Sequence, residues 1–186
     1  MSYSLEKVAS LIGAHCQGQY EASIDWMLTD SRSLAFPETT LFFAIHSQRN
    51  DGHKYIPDLY RRGVRAFVVE QLPDDWQTRY PDACFLCVIN TLKALQRLAE
   101  RHREAYDIPV IGVTGSNGKT VVKEWLYQLL SPSKRVTRSP RSYNSQIGVP
   151  LSVWLLNEQT EVAVFEAGIS EPDEMGALKA IIQPTI

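Results

Sequence analysis

No apolar run in this sequence is long enough to span a bilayer. The first ten residues, MSYSLEKVAS, lack the basic and apolar regions of a secretion signal. The cytoplasm is therefore the expected compartment. Positive charge is not in excess: 19 Lys and Arg stand against 21 Asp and Glu, a formal net charge of −2. Such a balance gives no general attraction to nucleic acid. Cysteine is scarce, and its odd count of 3 speaks against a secreted disulfide framework. Cys84 and Cys87 form a C-x-x-C pair, but their setting, CFLCVI, reads as a strand, where positions three apart face opposite ways. No second Cys or His pair stands at zinc spacing. Buried structural thiols are the expectation. His15 and His102 fall on predicted helices and read as packing or surface residues. Internal repeats and low-complexity segments are also absent.

What is present is organised around residues 108–130, IPVIGVTGSNGKTVVKEWLYQLL. Ile108, Val110, Ile111 and Val113 suit a buried parallel strand. Residues 114–118 form a small-residue loop in which Gly115 and Gly118 permit positive φ and leave backbone N–H groups uncovered. From Lys119 onward, Val122, Trp125, Leu126, Leu129 and Leu130 recur at helical spacing, and Pro132 follows the last turn. A loop placed there aims N–H groups and a positive helix end at one point, which favours phosphate. Lys119 would neutralise the outer phosphates and the Thr120 hydroxyl would coordinate magnesium. The strict P-loop pattern wants glycine where Val113 stands.

Before this stretch lies a complete small α/β unit. Ser4 can cap a first helix closed by Gly13. Strands are predicted over 24–28, 40–45, 65–70 and 84–89, with helices following Tyr55 and over 91–106. Residues 107–109 are the natural seam. The expected organisation is thus α/β in two domains, residues 1–107 and residues 108–186. In the second, a strand over 135–139, an apolar helix over 151–157 and the strand VAVFE over 162–166 follow the loop. Ser170 can cap a further helix, with Pro172 near its first turn. These strands are fewer than a nucleotide-binding sheet usually has, so this P-loop domain is expected to be truncated. It should leave an unpaired edge after 162–166 and be the less stable half.

Ligand crevices in open α/β sheets lie at the carboxyl ends of strands. Glu166, closing an apolar strand, lands near the phosphate loop and is a candidate magnesium ligand, or simply a strand-end carboxylate. Ser31-Arg32, Gln48-Arg49 and Asp51-Gly52-His53 follow the ends of two early strands. They read either as a site for phosphates and a polar base or as ordinary surface loops. Lys134, Arg135, Arg138 and Arg141 make a basic stretch that could equally be a solvated edge.

The motifs TDSR at 29–32, LFFAI at 41–45, DGH at 51–53, GVTGSNGKT at 112–120, IGVP at 147–150 and EAG at 166–168 occur in the order of a known family. On them the chain resembles the Mur ligases over nearly its whole length. The resemblance implies ATP-dependent addition of D-alanyl-D-alanine to UDP-N-acetylmuramoyl-tripeptide in peptidoglycan synthesis, through an acyl phosphate. The variant EAGIS suggests a form fused to an alanine racemase. It further implies that Ser31, Ser47, Gln48 and Arg49 lie near the uridine diphosphate. Asn144 would help to position the muramoyl substrate. Gly115, Ser116, Asn117, Gly118, Lys119 and Thr120 would hold ATP, with Lys119 catalytic, and Thr120 and Glu166 would hold Mg2+. Five positions depart from the family: Ser47 replaces a usual glycine, Ser142 and Ser145 replace asparagines, and Ser170-Glu171 replaces Asn-His. The family's later lysine, its adenine contacts and its C-terminal domain have no counterpart in these residues, so this stretch alone is expected not to ligate. Three alternatives stay open: another Mur ligase step, a P-loop kinase, and a non-catalytic UDP-sugar-binding module.

Overall fold

The computed structural model describes residues 2–47, 50–168 and 174–186. They form two compact units, Met1–Leu95 and Gln96–Ile186.

The first unit opens with β1 (Tyr3–Ser4) and α1 (Leu5–Ile12). The Ser4 hydroxyl accepts from the Lys7 N–H at 3.2 Å, and Gly13 closes the helix at φ 69°. There follow β2 (His15–Gln17), β3 (Ser23–Ile24), β4 (Trp26–Leu28), β5 (Thr40–Phe43), α2 (Ile56–Arg61), β6 (Ala66–Val69), α3 (Trp76–Arg79), β7 (Cys84–Cys87) and α4 (Thr91–Arg103). The main sheet runs β2-β7-β6-β5-β4, parallel except for β2, and β1 pairs with β3 in a separate two-stranded ribbon. The single strand predicted over 24–28 is therefore two, breaking at Asp25 as the chain passes from one sheet to the other. His15 lies in β2, not on a helix, because Gly13 ends α1 before it is reached. Every residue of β5 and β6 is buried, as strands covered on both faces require. Phe67 stacks on Phe85 at 5.4 Å and meets Phe42 edge-on at 6.4 Å in the core beneath.

In the second unit come β8 (Val110–Val113), α5 (Lys119–Leu130), β9 (Val136–Arg138), α6 (Gly148–Val153), β10 (Val162–Glu166) and α7 (Glu174–Ile182). The sheet order is β8-β10-β9, all parallel. Two expectations need correcting. The edge predicted to be bare after 162–166 does not exist, since β10 is the central strand. The outer side of β8 instead receives the chain's last residues: Gly112 N–H donates to Ile186 O at 3.1 Å and Thr185 N–H to Val110 O at 2.9 Å. The helix expected over 151–157 begins earlier, at Gly148, where the Ser145 hydroxyl takes the Gly148 N–H at 3.1 Å. The cap predicted at Ser170 lies outside the described residues.

The units divide inside α4, not at residues 107–109. The reason is its last turn. Arg103 donates to Ile182 O at 3.0 Å and to Gln183 O at 3.2 Å. His102 Nε2 and the Tyr106 hydroxyl both donate to Leu156 O, each at 3.1 Å. Among the described residues no helix is long and apolar enough to cross a membrane.

Candidate functional site

The glycine loop leaves β8 at Val113 and enters α5 at Lys119. Gly115 sits at φ +141° and Gly118 at φ +76°, backbone that side-chain-bearing residues rarely adopt. No heavy atom would lie within 4 Å of a Cβ on Gly118, so conformation and not space demands glycine there. Gly118 is also the N-cap of α5 and offers no side-chain bond to the helix's first N–H groups. Lys119 Nζ crosses the loop to donate to Gly115 O at 2.8 Å.

Parallel pairing in register, Glu166 opposite Val113, carries the acid to the start of this loop. Glu166 is 1% exposed. Its two oxygens have different partners. Thr120 Oγ1 donates to Oε2 at 2.9 Å, and Asn144 Nδ2 donates to Oε1 at 2.7 Å. The Glu166 N–H donates to Ser139 Oγ at 3.1 Å, and Gly168 N–H to Asn144 O at 2.8 Å. The three residues singled out from separate motifs, Thr120, Asn144 and Glu166, thus meet at one point.

One hydroxyl and one carboxylate are hard oxygen donors, the type that magnesium takes alongside phosphate and water. Among the described residues there is no cluster of three or more His, Cys, Asp or Glu able to cage a metal by themselves. The donor set therefore fits a cation that shares its shell with phosphates.

Beneath Glu166 lies a residue that sequence reasoning missed. Lys123 is fully buried, although helical periodicity assigns the interior to its apolar neighbours. Its Nζ donates to Ser139 O at 2.9 Å and to Arg141 O, contacts Glu124 Oε1 at 3.2 Å, and lies 3.9 Å from Glu166 Oε2. Arg138 pairs with Glu124 at 3.0 Å and lies over the Tyr127 ring at 3.7 Å. That hydrogen bond, with the adjacent Lys123, holds the Glu124 carboxyl below its usual range. The signal was available: Lys123 follows Thr120 by three residues, which puts both on one helix face. Arg138, read as part of a basic stretch, is bound up in this packing.

In the first unit the two candidate loops leave the carboxyl ends of the adjacent parallel strands β4 and β5. Ser31 begins a single 3₁₀ turn, and its carbonyl accepts from Arg62 at 2.7 Å. Arg32 folds back onto Asp30 at 2.7 Å and keeps that carboxyl below its usual range. Ser47 and Asn50 exchange backbone hydrogen bonds of 2.9 and 3.3 Å. Gln48 and Arg49 lie outside the described residues. Asp51-Gly52-His53 has a structural job. A Cβ on Gly52 would sit 2.7 Å from the backbone of Ala44 and Ile45. His53 Nδ1 donates to Asp51 at 2.6 Å while Nε2 accepts the Glu70 N–H at 3.1 Å, tying this loop to the end of β6.

Residues 113–186 match the Mur ligase middle domain. The chain is 33% identical over 187 residues to the UDP-N-acetylmuramoyl-tripeptide--D-alanyl-D-alanine ligase of Bacillus subtilis, covering 97% of the chain and 39% of that protein. The ligase of the same name from Treponema pallidum is also 33% identical, with 96% and 40% covered. The chain thus spans about two fifths of the length of the curated relatives it matches. Among solved structures, MurF from Acinetobacter baumannii superposes with a TM-score of 0.88 at 26% identity, covering 99% of the chain and 40% of that structure. MurF ligase from Thermotoga maritima in complex with ADP gives 0.71 at 30% identity, covering 85% and 35%. Matched by sequence and by fold, the chain belongs to the Mur ligase family.

Proposed function

We propose that this chain carries the UDP-substrate unit and the phosphate-binding part of the ATPase unit of an ATP-dependent ligase. That ligase adds D-alanyl-D-alanine to UDP-N-acetylmuramoyl-tripeptide in the cytoplasm. The observation that carries the reading is the meeting of Thr120 and Asn144 on the buried carboxylate of Glu166, beside the glycine loop. The relatives named for this reaction, and a neighbour that holds ADP, support it.

On this reading the backbone N–H groups of Gly115, Ser116, Asn117 and Gly118 cradle the ATP phosphates. Lys119 turns from Gly115 O to the outer phosphates and stabilises charge on the transferred group. Thr120 and Glu166 hold magnesium, which when bound neutralises phosphate oxygens. Asn144 orients the muramoyl substrate. Ser31, Ser47, Gln48 and Arg49 bind its uridine diphosphate. The substrate carboxylate takes the γ-phosphoryl group and ADP leaves. The amine of D-alanyl-D-alanine then attacks the acyl phosphate, the amide forms and phosphate departs. A P-loop kinase has no support from the relatives.

The test is a ligase containing this chain, given UDP-N-acetylmuramoyl-tripeptide, ATP, magnesium and D-alanyl-D-alanine. Amide product should form, and Lys119→Ala should lower kcat by at least about a hundredfold without unfolding the protein. Wild-type turnover in that variant would end the assignment.

A further inference from the structure

Lys123 has no place in the phosphate-binding motif, yet the structure spends a fully buried cation on it. An ammonium has three donors. Here they meet three acceptors: the carbonyls of Ser139 and Arg141 and the carboxylate of Glu124. Both carbonyls belong to the segment that brings Asn144 to Glu166. Arg141 is held at φ 47°, the left-handed region that disfavours a non-glycine residue, with its carbonyl on the lysine. Ser139 also receives the Glu166 N–H on its hydroxyl. One side chain on α5 therefore sets the backbone on both sides of the Glu166 carboxylate, while Thr120, one turn earlier, sets the carboxylate itself.

Charge points the same way. Glu166 has Lys123 at 3.9 Å, and Glu124 has Arg138 at 3.0 Å and Lys123 at 3.2 Å. The acids of this corner are matched by buried or half-buried cations before any ligand arrives. A bare divalent cation thus gains little there, and the missing negative charge must come with the phosphates.

We propose that Lys123 is a positioning residue that fixes the Ser139–Asn144 segment against Glu166 and balances that carboxylate, so that the corner takes its divalent cation together with nucleotide phosphates and not alone. This rests on reading the corner as a magnesium–nucleotide site.

The test is Mn2+ binding to the 186-residue chain, read by electron paramagnetic resonance with and without ADP. In the wild type, ADP should strengthen Mn2+ binding strongly. In Lys123→Met, bare Mn2+ should bind about tenfold more tightly and the strengthening by ADP should shrink by about tenfold. A lysine that served only packing would weaken both constants together, and that result would overturn the proposal, as would constants unchanged from wild type. Should Lys123→Met fail to fold, Lys123→Arg keeps the charge and the donors. Retained ADP coupling in that variant supports the proposal, and loss as complete as in Glu166→Gln refutes it. Glu166→Gln separates the two failures. If it leaves Mn2+–ADP binding untouched, the magnesium reading falls and takes this proposal with it. If only the Lys123 variants are silent, the reading stands and the proposal alone falls.

Discussion

At the scale of single residues, two glycines show how different reasons lead to the same residue type. Gly52 is needed for space, because a Cβ would lie 2.7 Å from backbone atoms that cannot give way. Gly118 is needed for its φ of +76°, with open room around it. Gly52→Ala should therefore cost about 3 kcal/mol or more, and Gly118→Ala only about 1 kcal/mol. Urea unfolding of each variant checks the order, and equal costs would contradict it. His102 gives a second prediction. Burial pushes its pKa from 6.5 down to about 4. A base with a lowered folded pKa keeps its full contribution above the unfolded value, here 6.5, and loses it as pH falls toward 4. On the order of 3 kcal/mol is at stake over that window. His102→Gln, which keeps a donor for Leu156 O, should flatten the fall of the urea midpoint between pH 6.5 and 4. An unchanged slope would mean that other groups carry the acid sensitivity.

At the scale of elements, α5 separates what periodicity can tell from what it cannot. The residue order strand, glycine loop, helix was legible at once, because glycine placement and a four-residue apolar strand are local properties. So was the position of Glu166, since the end of a parallel strand is a place in the fold. The inward face of α5 was not legible. Its apolar spacing picks out Trp125 and Leu129, yet they are 62% and 76% exposed while Lys123 is buried. Which face turns inward is decided by what the sheet and the 139–141 backbone offer, carbonyls and carboxylates here, and no window of sequence contains that. The central place of β10 escaped for the same reason: strand order is set by non-local pairing. Leu129→Gln should accordingly change stability by no more than about 0.5 kcal/mol. Leu178→Ala, on the buried side of α7, should cost about 2–5 kcal/mol. A large loss at Leu129 in unfolding measurements would show that the helix face is covered in solution.

At the scale of the whole chain, the first unit stops inside a helix, between Leu95 and Gln96. Composition places the seam at residues 107–109, and a strand does begin at Val110. A seam in sequence is not a seam in packing. Ala99 and Tyr106 belong to the same buried cluster as Val110, Phe165, Leu178 and Ile181. Arg103 holds the carbonyls of Ile182, Tyr106 and Gln183. Removing everything before residue 108 would strip Arg103 from the carbonyls of Ile182 and Gln183, and His102 and Tyr106 from that of Leu156, and would expose the apolar side of the cluster. Each unpaired buried polar group costs about 1–3 kcal/mol, and a small domain has only about 5–15 kcal/mol in total. A fragment of residues 90–186 should therefore fold with dispersed amide resonances, whereas one of residues 108–186 should be largely unfolded or molten. Far-UV circular dichroism and two-dimensional nitrogen–proton spectra of the two fragments decide it. If residues 108–186 prove as well ordered as residues 90–186, the end of α4 is a tether and not part of the phosphate-binding unit's core.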